Sequence, residues 1–146
     1  MLSQISIGAA LIALTVIVHA ISLEFILRTL LSIHAHILVR WRVFAFSFVI
    51  IGVFVAHIIE ICIWALFYYS EASVEQIPTV EAALYFSTSS FTTVGFGDLV
   101  LSEEWRLLSS FEAINGMILF GWSTAFIFGV VRHVYSQIYA AVAANT

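Results

Sequence analysis

The chain has 146 residues, of which 62% are hydrophobic and 10% charged, whereas a soluble domain carries about 25% charged residues. That deficit leaves too little charge to cover a soluble fold of this size and too little polarity for a disordered chain, so the expected environment is a bilayer. Five arginines against nine acids, for a net charge of -4, give no basic surface for nucleic acid, and the single cysteine, Cys62, allows neither an intrachain disulfide nor a cysteine metal cluster.

Three apolar runs reach the roughly 20 residues needed to cross the hydrocarbon core: Ile5–Leu27, Val43–Tyr69 and Leu107–Val131. The first lacks the basic start and the Ala-x-Ala exit of a cleavable signal, and so reads as a membrane helix. Its continuation toward Arg42 alternates apolar residues with His34, His36 and Arg40, a pattern suited to a helix end emerging into the interface. Within that span Glu24 and Arg28 stand at the spacing of a helical ion pair, and the reading of His19, Glu24 and Arg28 is structural. Arg28, Arg40 and Arg42 lie between the first two runs and Arg132 follows the third. The segment between runs two and three is acidic, with Glu71, Glu75, Glu81, Asp98, Glu103 and Glu104 against Arg106. Retention of positive charge on the cytoplasmic side then predicts an outer amino terminus and an inner carboxyl tail.

Span two carries His57 and Glu60 on one helix face. An ionisable pair inside a membrane helix is costly, which makes a proton-sensing pair behind the pore region the sharp reading; mutual satisfaction, or a bond to Thr88, is the bland one. A metal site would need further histidines to converge.

The connection after span two contains Val80–Phe91, twelve apolar-rich residues, too short to span and of a length typical for a re-entrant helix. Thr79 is the expected cap, after Pro78, and Glu81 falls near the positive end of the helix dipole. The run breaks at Thr92-Thr93-Val94-Gly95-Phe96-Gly97-Asp98. Irregular backbone at membrane depth is tolerated only where protein buries it or a water-filled path lies beside it. Two alternate glycines let a strand adopt unusual dihedrals, so that carbonyls contributed by several subunits replace the hydration shell of a monovalent cation. One such strand cannot surround an ion, which implies four chains.

In span three, Glu112 and Asn115 repeat the three-residue spacing, with either the cavity or the pore helix as the face they present. No span repeats arginine at every third position, which argues against a charged-helix voltage sensor. Enzyme motifs such as Gly-x-Ser-x-Gly, His-Glu-x-x-His or a phosphate loop do not occur, so the chain is expected not to be an enzyme and to need no cofactor. With a short tail after Arg132, no nucleotide- or calcium-binding domain is expected.

Thr93-Val94-Gly95-Phe96-Gly97-Asp98 resembles the signature of the potassium channel pore family, Thr-Val-Gly-(Tyr or Phe)-Gly-Asp. The resemblance extends over residues 43–131 and includes Ala83-Leu84-Tyr85-Phe86-Ser87, Trp105-Arg106 and Phe120-Gly121. It implies an all-α integral membrane protein with three transmembrane helices, a re-entrant pore helix and an extended filter, assembled as a homotetramer in lipid. Residues 1–42 would add an amino-terminal helix packed outside the pore unit, against span two of its own or a neighbouring subunit, and residues 132–146 a short cytoplasmic tail. The resemblance implies potassium ions held by the backbone oxygens of Thr93, Val94, Gly95 and Phe96 and by the Thr93 hydroxyl, with Gly97 completing the strand. Asp98 would stand at the mouth, with Thr92, Ser89 and Tyr85 in support, and Gly116 would match the hinge glycine of the inner helix once one residue is deleted after Trp105.

Two departures from the family pattern stand out. Phe96 lacks the hydroxyl of the commoner tyrosine, leaving packing by Tyr85 and Phe86; and Ser89 occupies a place where several members have an acid, so Asp98 is expected to be bonded differently. Beside passive potassium conduction, a weakly selective cation channel and a non-conducting membrane sensor or interaction subunit remain the alternative readings. A bacterial inner membrane is the location implied by analogy.

Overall fold

A computed structural model describes residues 2–32, 40–71 and 76–143. Among the described residues four helices follow one another: α1 (Leu2–Leu31), α2 (Arg42–Ser70), α3 (Val80–Phe91) and α4 (Arg106–Ala143). Leu2–Leu31, Arg42–Ser70 and Arg106–Gln137 are each long and apolar enough to cross a membrane, and with α3 they make an all-α membrane protein. α4 runs past the expected end of its span, through most of the tail. His34, His36 and Glu75 lie outside the described residues.

The outer faces are what a lipid-facing or subunit-facing helix needs. Ile17, Phe54 and Phe128 are more than half exposed, each on a different long helix, which in water would be an untenable apolar surface. Inside, one cluster joins α2, α3 and α4 through Trp64, Tyr68, Phe86, Phe91, Leu108 and Leu119. A second joins α1, α2 and α4 through Leu23, Ile26, Leu30, Val49, Val53, Val130 and Val134. α1 therefore packs against both α2 and α4 of its own chain. Polar contacts reinforce this. The Asn115 amide of α4 donates to the Thr15 hydroxyl of α1 at 2.8 Å. Glu24 and Arg28 form their ion pair at 2.6 Å on the exposed side of α1.

α3 starts as its sequence indicates. Thr79 caps it, its hydroxyl accepting from the Ala82 amide at 3.1 Å, and Glu81 stands in the first turn. Its far end is fixed by a close approach. A Cβ on Gly116 would lie 2.0 Å from the carbonyl oxygen of Phe91, so only glycine lets α4 come this near the end of α3. Gly116 is ten residues into α4, about 15 Å from its start at 1.5 Å per residue; for a hydrocarbon core of roughly 30 Å that begins where α4 begins, the end of α3 lies about halfway through.

Candidate functional site: a left-handed strand at membrane depth

From the buried end of α3 the chain turns back in five residues. Three of them hold positive φ at every second position, Thr93 at 62°, Gly95 at 54° and Gly97 at 78°. Glycine takes this region without penalty, but a β-branched threonine there is a true outlier, held only because its surroundings over-determine it. The local bonds show how. The Thr92 amide donates to Thr88 O at 3.1 Å, Thr93 to Ser90 O at 2.9 Å and Gly95 to Ser89 O at 3.1 Å. The Thr92 hydroxyl adds a bond to Thr88 O at 2.7 Å. The last carbonyls of α3, which no helical amide can reach, are thus taken up by the following strand.

Peptide planarity carries this further. In a trans peptide the carbonyl of residue i points opposite to the amide of residue i+1. With the Thr93 and Gly95 amides turned onto α3, the carbonyls of Thr92 and Val94 face away from it. Alternating backbone hand is the condition under which successive carbonyls gather on one side of a strand. Val94 and Phe96 leave their side chains more than half exposed within one chain.

Beyond the strand, the Tyr85 hydroxyl donates to Asp98 Oδ2 at 2.7 Å, while Asp98 Oδ1 accepts from the Leu99 amide at 3.0 Å. The bond from Tyr85 holds the Asp98 carboxyl below the usual carboxylate range and pushes the Tyr85 phenol above its ordinary value. The Tyr85 ring also lies parallel to Phe96, with centroids 6.1 Å apart and planes 8° apart. One tyrosine on α3 thus steadies both the aromatic residue of the strand and the acid after it. Phe86 packs elsewhere, edge-on to Tyr68 at 5.1 Å. Ser89 contributes through its backbone carbonyl, the acceptor for Gly95.

Behind α3, Glu112 is buried between α2, α3 and α4. It meets the Tyr68 hydroxyl at 2.9 Å and the Ser87 hydroxyl, and Ser87 also reaches Ile61 O at 2.9 Å. Ser87 has one proton for two acceptors. All three contacts are satisfied together when Glu112 carries a proton and donates to Ser87, which frees Ser87 to donate to Ile61. Of the two faces the sequence left open for this residue, it presents the one toward α3, the expected pore helix. Gly116 sits one turn further along α4, which is a single uninterrupted helix at that point.

His57 and Glu60 are joined, His57 Nδ1 standing 2.8 Å from Glu60 Oε2. The second oxygen of Glu60 meets His19 Nδ1 of α1 at 2.7 Å, and Ser123 Oγ of α4 lies 3.3 Å from His19 Nε2 and 3.0 Å from His57 Nε2. Thr88 takes no part; its hydroxyl donates to Leu84 O. The ligand-capable atoms of His19, His57 and Glu60 lie within 4.8 Å of one another. However, the nitrogen-to-oxygen contacts of 2.7 and 2.8 Å are hydrogen-bond distances. Two ligands of one tetrahedral zinc ion at about 2.0 Å would stand about 3.3 Å apart. The group is closed on itself rather than spread around an ion.

His19 and Ser123 are the members that pattern reading leaves out. A histidine in the middle of an apolar span is itself a signal, but only the packing of α1 on α2 supplies its partner. Ser123 reads as one of several small residues suited to close helix contacts.

The ion channel family matches this chain over residues 56–133, the stretch that holds most of α2, all of α3, the left-handed strand and most of α4. The voltage-gated potassium channel Kch of Escherichia coli (strain K12) is 40% identical over 63 residues, 42% of this chain and 15% of that protein. The chain thus spans only a small part of that relative's length. No solved structure matches. A short helix entering to mid-membrane, a returning strand of alternating hand and a family match that encloses both lead to one assignment: this chain belongs to the ion channel family.

Proposed function

We propose that four copies of the chain surround one axis and conduct potassium ions passively, with Thr93–Gly97 of each copy lining the path. The observation that carries this reading is the alternation of left-handed φ at Thr93, Gly95 and Gly97. It is the backbone condition for a column of carbonyl oxygens that replace the water around a dehydrated monovalent cation. The oxygens of Thr93, Val94, Gly95 and Phe96 and the Thr93 hydroxyl form the rings. The carboxyl end of α3, the negative pole of its dipole, points toward the middle of the membrane and favours a cation there. The exposure of Val94 and Phe96 in a single chain, 55% and 68%, supports a neighbour on the strand, since one strand cannot enclose an ion. The Escherichia coli relative, a potassium channel by name, supports the choice of ion. The arginine distribution supports an outer amino terminus and an inner carboxyl tail, with Asp98 at the outer mouth.

The test is a potassium-gradient flux assay on the purified chain in liposomes, with sodium as competing ion and barium as blocker. Potassium flux that barium blocks and Gly95→Ala abolishes is the expected result. Equal sodium flux would reduce the reading to a weakly selective cation pore. A well-folded tetramer that passes no ion would make the chain a non-conducting membrane subunit.

A further inference from the structure

His19 of α1, His57 and Glu60 of α2 and Ser123 of α4 close a ring of four hydrogen-bond contacts, with side chains from three helices. Glu60 and His19 are fully buried, His57 is 8% and Ser123 4% exposed. The other groups packed on the ring are aromatic. Phe91 at the end of α3 lies 6.1 Å from His57, Phe120 of α4 stands edge-on to it at 4.7 Å, and Trp122 of α4 is 5.2 Å from His19. Among the described residues, the titratable groups facing the ring are its own members: His19 from α1 and His57 and Glu60 from α2, with none from α3 or α4.

Counting hydrogens decides what such a ring holds. As a carboxylate, Glu60 offers only lone pairs, so both Nδ1 atoms bear hydrogen and, in neutral rings, both Nε2 atoms are acceptors. Ser123 has one proton and can satisfy only one of them. The other Nε2 would face a serine lone pair, and the buried cluster would carry a net charge of minus one. A second added proton would set two cationic rings, stacked with centroids 5.3 Å apart, against one carboxylate. With one added proton every contact has one donor and one acceptor, and the net charge is zero. The same holds if that proton sits on Glu60 and one of the two imidazoles switches tautomer, so the proton is shared around the ring.

We infer that the His19–Glu60–His57–Ser123 ring is a binding site for a single shared proton, and that this proton clasps α1 onto α2 and α4. Neutrality is what hydrocarbon demands of a buried ionisable cluster, and the titration belongs to the group rather than to any one residue. Removing the proton leaves a buried charge and an unpaired nitrogen at the seam between α1 and α4, which weakens the docking of α1. The inference stands on the contacts between helices and does not require that the chain conduct potassium.

The test uses the full chain in lipid nanodiscs, with 15N-labelled histidine and 13C-labelled glutamate carboxyl groups, titrated from acid to alkaline pH. Signals are assigned by single substitutions. Expected is a plateau on which Glu60, His19 and His57 together hold three protons, between states holding four and two. On its alkaline side, amide-exchange protection of α1 falls. Glu60→Gln should stay folded and hold two protons on two neutral imidazoles over the pH range in which the unaltered chain holds three. Its amide accepts from one Nδ1 and donates to the other, completing the ring without the extra proton. Ser123→Ala, the second variant should Glu60→Gln fail to fold, should narrow the plateau, because the ring loses the group that pairs both Nε2 atoms while the three-proton state keeps its zero net charge. Passage from four protons to two without a plateau, three protons retained by Glu60→Gln, or α1 protection that ignores pH in the unaltered chain would each overturn the inference. The readout counts protons and not ions, so its failure and that of the channel reading are separate results.

Discussion

Replacing Gly116 by alanine probes the contact that fixes how deep α3 sits. The new Cβ would lie 2.0 Å from Phe91 O and 2.9 Å from its carbonyl carbon, where real Cβ contacts do not fall below 3.0 Å. α4 must therefore retreat from α3 by at least the difference between 3.0 and 2.0 Å, one ångström, and neither neighbour is a flexible side chain that can swing aside. Overpacking of this kind costs typically about 1–3 kcal/mol. A contact against backbone belongs at the top of that range. Alanine returns about 1 kcal/mol as the better helix former. The net loss is about 2 kcal/mol, or about 4–8 °C in melting temperature for a chain of this size. Gly129→Ala is the matched control, since nothing in the same chain lies within 4 Å of its new Cβ. The assay is a thermal scan of both variants in one detergent, followed by intrinsic tryptophan fluorescence. A Gly116→Ala protein as stable as Gly129→Ala would refute the close-contact argument. Altered ion-flux kinetics at unchanged stability would instead return Gly116 to the hinge role expected from the family resemblance.

Three other outcomes follow from the site. Glu112→Gln should leave the melting temperature nearly unchanged, because an amide can accept from Tyr68 and donate to Ser87. Glu112→Ala should lower it, because the buried Tyr68 hydroxyl loses its acceptor at about 1–3 kcal/mol while Ser87 keeps Ile61 O. In Tyr85→Phe the Asp98 carboxyl loses its phenolic donor, and its titration, followed by carboxyl 13C resonance, should move up toward the ordinary carboxylate value. Because the folded pKa of Asp98 is depressed, the stabilisation from this bond is present above pH 3.8 and is lost as pH falls through the folded value; because that of Tyr85 is raised, it is also lost when pH climbs past 10.0 to the folded phenol value. An unmoved Asp98 titration would contradict the hydrogen bond. Gly95→Ala must hold alanine at a φ of 54°, a strain of about 1–2 kcal/mol in each subunit. The helical fold should survive by circular dichroism while ion flux is lost; undiminished flux would show that the strand does not need this backbone.

What could be read from the sequence and what could not divide along a physical line. Apolar runs, cap and break residues act within a few neighbours. Val80–Phe91 therefore begins and ends where Thr79 and the Thr92–Gly97 break indicate, and the long helices contain the three expected spans. The pairing of His57 with Glu60 is equally local, three residues apart on one helix. Partners on different helices are another matter, because helical periodicity says which residues share a face and nothing about what that face meets. His19 with Glu60, Thr15 with Asn115 and Tyr68 with Glu112 are separated by 41, 100 and 44 residues. The same limit applies to Gly116, where the backbone of another element explains the glycine. Tyr85 is an intermediate case. Packing against the strand aromatic was expected of it, but its bond to Asp98 depends on how the strand returns.

The long separations within the ring also bear on how the protein is made. A chain inserted from its amino terminus commits α1 to the membrane with His19 unpartnered, while the Thr15 hydroxyl rests on the Leu11 and Ile12 carbonyls of its own helix. Glu60 emerges 41 residues after His19, whereas Ser123 comes 104 residues after it and Asn115 100 residues after Thr15. Between those events α1 holds polar groups in hydrocarbon and has only α2 to shelter them. The polar seam along α1 therefore makes its seating a step of biogenesis completed only when α4 arrives, and leaves a chain synthesised only as far as α2 with a reason to stay beside the insertion machinery.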